Sequence, residues 1–387
     1  MPDKTEVLII GAGLAGLSAA IHLQNAGVES IVVEASDRVG GRVASDVIDG
    51  FICDRGFQLI NSLYPALREL DVIREIDFVA APRIIEVALG ESRYALGDPR
   101  KAPFTALNSA TGSIKEKLAL LSYIIRPPHP HKSVGDELKV SGNVYTKVLR
   151  PFLQGVFLTD PDDVDSVYGH SIVRSFVRGN PGVPRKGVGQ LSNALASRIN
   201  QIKLNTAVER LEGKLVHTNN GTYLADKIII ATDATRATQL LDLKEVPRMA
   251  GCITWYHATD VNPSGSGRLV IDGENRGPIF NTVVMSDISK AYSPQGKHLI
   301  STTTSLNVTE SDVRRHLSTL WQTNTHGWQL IAKYEIPAAL PIHKVGRALS
   351  QPIKISDTYF VAGDHRTVPS QQGALFSGRL AAQLVLD

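Results

Sequence analysis

The sequence predicts an α/β fold built around a parallel sheet, and three features of its first 34 residues carry that prediction. An apolar run, Val7–Ile10, leads into Gly11-Ala12-Gly13-Leu14-Ala15-Gly16. An Ala/Leu-rich run with helical character, Leu17–Ala26, follows it. A second apolar run, Ser30–Val33, ends in Glu34. Strand, glycine turn, helix, strand and acid, in that order, describe a βαβ dinucleotide-binding unit. The first glycine makes the tight turn, the second lets a pyrophosphate approach the backbone, and the third lets helix and sheet pack closely. The start of the helix then offers free N–H groups to the phosphates.

Glu34 lies where a carboxylate takes a ribose 2′-hydroxyl, which suits FAD or NAD and argues against NADP. The following residues read Glu34-Ala35-Ser36-Asp37-Arg38-Val39-Gly40-Gly41-Arg42, then Asp54-Arg55-Gly56-Phe57-Gln58. At the far end, Thr358–Ala362 leads into Gly363-Asp364, and Gln372-Gly373-Ala374-Leu375-Phe376-Ser377-Gly378-Arg379 opens a last helix. These runs resemble the FAD-dependent superfamily of amine oxidases, protoporphyrinogen oxidase and phytoene-desaturase-like enzymes, closest to its desaturase-like members. The resemblance implies one non-covalently bound FAD. It places Glu34 at the adenosine ribose, Gly11, Gly13, Gly16 and Arg42 on the pyrophosphate side, and Asp364 at the ribityl chain. Leu14, Ala15, Ala35, Gly41, Gly363, Gly373 and Ala374 belong to the same implied contact set. The last helix would aim its N-terminus at the pyrimidine side of the flavin, where reduction gathers negative charge.

The middle of the chain resembles the family more loosely. Asn205–Leu211 and Lys227–Asp233 resemble a strand pair near the adenine, with the backbone at Val208 meeting the cofactor. Pro184–Leu191 resembles the segment that returns the chain to the FAD domain, although Lys186 and Val188 depart from its pattern. The implied fold is a Rossmann-like FAD domain of the glutathione-reductase type, built from 1–80, 184–248 and 340–387. A discontinuous α+β substrate domain takes 81–183 and 249–339.

Elements of that second portion follow from periodicity. Two short β-like runs flank Gly90 between Ile84 and Leu96. Ile114, Leu118, Leu121 and Ile125 recur at helical spacing within Ser113–Arg126. Arg126-Pro127-Pro128-His129-Pro130-His131 reads as a solvated loop whose histidines have no acidic partner nearby. Asp160-Pro161-Asp162-Asp163 reads as a helix start, with the helix running through Ser166–Arg178. Strands are expected at Cys252–Thr259, Arg268–Asp272, Ile279–Val284, His298–Thr303 and Leu330–Ile336, with a helix at Glu310–Trp321.

Composition bounds the rest. A hydrophobic fraction of 43% and a charged fraction of 20% are ordinary for a globular chain, and a net charge of +3 is too small to imply nucleic acid. Cys53 and Cys252 lack metal-ligand spacing and read as buried thiols. Neither a signal peptide nor a membrane span is expected, so the chain reads as cytoplasmic. Peripheral membrane contact is left open by Lys115, Lys117 and Arg126 beside the apolar stripe of Ser113–Arg126, although packing on the chain's own domain is the ordinary reading of such a helix.

Three functional classes compete. One is a dehydrogenase or desaturase acting on a small apolar substrate, with oxygen, a quinone or another acceptor reoxidising the flavin. The second is an amine oxidase, for which Lys333 or Lys344 would be the candidate lysine near the flavin. The third is a binding or structural module that retains FAD without turnover, or a relative of the same dinucleotide fold that binds protein. After Gly363-Asp364 the chain reads His365-Arg366-Thr367-Val368-Pro369-Ser370, without the aromatic that amine oxidases of the family carry there. That absence favours the first class.

Overall fold

The computed structural model describes residues 1–97, 105, 108–244 and 246–387. Strand β1 (Asp3–Ile10), helix α1 (Leu14–Asn25) and strand β2 (Ser30–Val33) form the opening unit. The hairpin β3 (Ser45–Ile48) and β4 (Phe51–Asp54) follows, then β5 (Ile60–Asn61), β6 (Phe78–Ala80) and a second hairpin of β7 (Ile84–Leu89) and β8 (Ser92–Gly97). A helical stretch contains α2 (Ile114–Ile125), α3 (Arg150–Phe157) and α4 (Ser166–Arg178), and ends at β9 (Pro181–Pro184). Strands β10 (Ile202–Lys203), β11 (Val208–Glu212), β12 (Leu215–Thr218) and β13 (Gly221–Ile230) come next. Strands β14 (Met249–Thr259), β15 (Leu269–Asp272), β16 (Ile279–Val284) and β17 (His298–Thr304) precede α5 (Glu310–Trp321) and β18 (Gln329–Pro341). The chain closes with β19 (Tyr359–Val361) and α6 (Gln371–Leu386).

Among the described residues, two seven-stranded sheets organise these elements. The first runs β10-β2-β1-β13-β12-β11, with β19 also against β13. Strand β13 is long enough to hold two partners on one side. Its first half pairs antiparallel with β12, and Ile228–Ile230 pair parallel with β19. Val7, Leu8, Ile9 and Ile10 are all buried, as a central parallel strand covered on both faces requires. Because β2, β1, β13 and β19 are mutually parallel, their carboxyl ends share one edge. There Gly11 N–H donates to the Val33 carbonyl, Ala231 N–H to Ile10 and Ala362 N–H to Ile230. That edge carries Gly11, Glu34 and the Gly363-Asp364 pair.

The second sheet runs β18-β14-β17-β16-β15-β7-β8 and is antiparallel except between β15 and β7. Val313, Leu317, Leu320 and Trp321 of α5 pack on one of its faces. A core of Phe51, Ile52, Cys53, Val183, Tyr256 and Tyr292 packs the β3–β4 hairpin and β9 against the second sheet. Both cysteines are buried thiols, and burial pushes Cys53 up to about 12 and Cys252 to about 11.

Four local expectations differ from the structure. Helix α1 begins at Leu14 rather than Leu17, because Gly13 already adopts the extended N-cap conformation. The run from Asp160 is no single helix. A 3-10 turn at Pro161–Asp163 ends where Val164 extends into the core and accepts a hydrogen bond from Val134 N–H, and Asp165 caps α4 afresh. Strands β11 and β13 do not pair, since β12 lies between them. His129 has an acidic partner after all: its Nδ1 lies 2.5 Å from the buried Glu137 carboxylate.

Candidate functional site

The glycine turn after β1 is shaped by close contacts on two of its glycines and by space on the third. Gly11 sits at φ +105°, a left-handed conformation that favours glycine. A Cβ at Gly16 would lie 1.9 Å from the Gly11 carbonyl oxygen, so the helix rests directly on the turn. A Cβ at Gly13 would meet nothing within 4 Å. Gly13 is the N-cap of α1 and supplies no side-chain cap, which leaves the first-turn N–H groups of α1, Leu14 and Ala15 among them, facing that space.

Glu34 ends β2 with its carboxylate held in place. One oxygen accepts from Ala12 N–H at 2.7 Å, the other from Ser36 N–H at 2.9 Å and Ser36 Oγ at 2.8 Å. Ala35, between them, belongs to the same loop. The backbone of 205–206 lies against it, with Thr206 N–H donating to the Glu34 carbonyl and Asn205 N–H to that of Ser36. Val208, two residues on, is buried, and its carbonyl accepts from Arg236. The Gly40-Gly41 turn folds over the first glycine turn, with Gly40 N–H donating to the Ala12 carbonyl and a Cβ at Gly41 reaching 3.6 Å from the Gly13 Cα.

Arg42 and Asp364, 322 residues apart, form one ion pair at 2.6 Å. Arg42 also donates to the Ala339 carbonyl at 2.7 Å, which ties the end of β18 to the same point. Asp364 is 4% exposed. Gly373 and Ala374 are placed by packing within α6. Gly373 N–H donates to Ser370 Oγ and Ala374 N–H to the Ser370 carbonyl, and a Cβ at Gly373 would lie 1.8 Å from the Val368 carbonyl oxygen. The helix-start N–H groups without an intrahelical acceptor therefore belong to Gln371 and Gln372.

Sequence reasoning missed three side chains here. Gln58 Nε2 donates to the Arg42 carbonyl, and Gln371 Nε2 donates to Gln58 Oε1 at 3.1 Å. Gln371 Oε1 and His365 Nε2 are both buried without a hydrogen-bond partner. Burial, reinforced by Arg366 and Arg42, pushes His365 down to about 4, so its ring is neutral at physiological pH. A glutamine pair joining two segments so far apart leaves no periodic or motif signal. Asp54 proves to be a junction residue: fully buried, it accepts from Ser45 Oγ, Val188 N–H and Tyr292 Oη, and its carbonyl accepts from Tyr256 Oη. Lys333 stacks on Trp255 at 5.0 Å and pairs with Glu335. Lys344 is exposed.

This arrangement fits a flavin dinucleotide. It offers free helix-start N–H groups beside unfilled space at Gly13, a fixed carboxylate one strand away, and buried, unpartnered polar atoms on the segment after Asp364. The comparisons agree. The family model for flavin containing amine oxidoreductases matches residues 14–386. Hydroxysqualene dehydroxylase from Rhodopseudomonas palustris is 30% identical over 186 residues, covering 43% of this chain and 43% of that protein. Protoporphyrinogen oxidase 1, chloroplastic, from Arabidopsis thaliana is 29% identical over 171 residues, covering 41% and 31%. The chain thus matches less than half the length of either relative. The crystal structure of an oxidoreductase from Methanosarcina mazei superposes with a TM-score of 0.75 over 98% of this chain and 100% of that one, at 18% identity, a likeness of fold. The chain belongs to the flavin containing amine oxidoreductase family.

Proposed function

We propose that this oxidoreductase dehydrogenates a small apolar substrate at a C–H bond. FAD, when bound, supplies the acceptor for the departing hydride at its N5. Glu34 would hold the adenosine ribose, its two oxygens already oriented by Ala12 and Ser36. The α1 start at Gly13 and the Gly41-Arg42 turn would meet the pyrophosphate, with Asp364 on the ribityl chain. The α6 start would stabilise the charge that the flavin gains. The protein's remaining work is to align the substrate and exclude water. The substrate loses a hydride and a proton, and oxygen, a quinone or another acceptor takes the electrons from the flavin.

One observation carries the choice of an apolar substrate. The segment after Asp364 has no aromatic side chain to cage an amine, and His365, Arg366 and Thr367 are 5%, 8% and 6% exposed. Tyr168 lies beneath that segment with its hydroxyl donating to the Pro369 carbonyl, so its polar end is already spent. The test is turnover with polyprenoid and porphyrinogen substrates, read by mass spectrometry. Support is a product lighter by two hydrogens, formed in step with reduction of the acceptor. Turnover of amines alone would reject the proposal.

A further inference from the structure

Helix α2 turns its apolar stripe away from the protein. Ile114, Leu118, Leu121 and Ile125 are 62%, 60%, 49% and 69% exposed. Their spacing places them on one face. The opposite face holds the helix to the domain: Tyr123 is buried among Val134, Leu138 and Tyr168, with Leu120 and Ile124 packed beside it. Val140, 66% exposed in the turn Lys139–Ser141 packed against α2, adds another apolar side chain to this region.

The charges around the stripe are sorted. At 100° per residue, Lys115 and Lys117 fall on its two flanks, Lys115 exposed and Lys117 half-buried with its ammonium donating to the Asn108 carbonyl, and Arg126 and Lys132 follow the helix. The one acid in this stretch, Glu116, is turned to the backbone, accepting from Ser113 N–H and Asn143 N–H. An apolar ridge with basic margins is complementary to an anionic, apolar-cored surface. It is poorly matched to itself. In a parallel pair of such helices lysines would face lysines, and in an antiparallel pair they would face the Arg126 end.

We propose that this face of α2 docks on an anionic lipid bilayer. The helix would lie in the headgroup plane, its four apolar side chains toward the acyl region and the exposed Lys115, with the basic residues after the helix, toward the phosphates. Among the described residues no helix is long and apolar enough to cross a membrane, so the contact is peripheral. The surface centres on α2 and does not depend on the substrate.

The test is flotation of the intact, FAD-loaded protein with vesicles of phosphatidylglycerol and phosphatidylcholine, against phosphatidylcholine alone. The protein is expected to float with the anionic vesicles and to be released by high salt. The double variant Leu118→Glu, Leu121→Glu should bind about ten-fold more weakly or less, while keeping its flavin colour and unfolding temperature, since both side chains are exposed. If that variant fails to hold FAD, Lys115→Glu with Ile125→Glu carries the same comparison. No flotation of the wild type overturns the proposal, as does equal flotation of the variant or equal binding to phosphatidylcholine alone. A dimer in sedimentation velocity that the double variant dissolves would also overturn it, by showing that a second copy covers the stripe.

Discussion

Replacing Gly13 by alanine separates the two jobs of the glycine turn. Gly13 has φ −74° and ψ 178°, a conformation open to any L-residue, and an added Cβ would meet nothing within 4 Å. The apo protein should scarcely register the change. Losing glycine at an N-cap costs a few tenths of a kcal/mol to about 1, and stiffening the unfolded chain returns a similar amount. Cofactor binding should respond strongly, because the methyl stands over the helix start. Displacing a phosphate from two charge-assisted hydrogen bonds costs about 3 kcal/mol or more, roughly a hundred-fold in Kd. Gly16→Ala is the opposite case: its Cβ would overlap the Gly11 carbonyl at 1.9 Å, and the apo protein should lose about 1–3 kcal/mol. The assay is urea unfolding of both apo variants beside an FAD titration followed by fluorescence quenching. Wild-type FAD affinity in Gly13→Ala would refute the placement of the pyrophosphate over this turn.

Other perturbations test separate parts of the molecule. Glu34→Ala should cost about 1–3 kcal/mol of FAD affinity in the same titration, through loss of a charged hydrogen-bond partner. Arg42→Met leaves the buried Asp364 without its cation. Since the guanidinium side is 37% exposed, the loss of apo stability should be about 1–3 kcal/mol, less than for a fully buried pair. Burial raises Asp54 to about 6, above its unfolded value near 4, so the folded state binds the proton more tightly. Its contribution is present below pH ~4 and is lost as pH rises through about 6. Asp54→Asn should therefore remove a downward slope worth about 3 kcal/mol between those limits in denaturation curves. His257 has the opposite sign. Burial, with Arg314 adding to it, lowers it to about 4, so stability falls as pH drops from about 6.5 to 4, and His257→Phe should flatten that limb.

The opening unit and the closing motif were legible because their signals are local. Val7–Ile10 and Ser30–Val33 are short apolar runs with turn glycines between them, and the strands of 249–341 stand out by length and β-branched content. Contacts made between distant segments were not legible. Nothing in a run of Gly40-Gly41-Arg42 says that Arg42 will meet Asp364, or that Gln58 will bond Gln371. The turn chemistry at Asp160–Asp163 matched a helix start, but tertiary packing of Val164 broke the helix there. The stripe of α2 is the sharpest case. Helical spacing of Ile114, Leu118, Leu121 and Ile125 identified the helix correctly, yet periodicity shows only that one face is apolar. Which face is buried was decided by Tyr123 and its neighbours on the other side.

Anaerobic reduction of the bound flavin tests the substrate proposal most directly. FAD-loaded protein is mixed, without oxygen, with carotenoid precursors, porphyrinogens, simple amines and polyamines while the yellow absorbance is followed. Bleaching by a member of the apolar set, with none by the amines, is the predicted result. Rapid bleaching by a simple amine, with none by the apolar set, would contradict it and make the protein an amine oxidase.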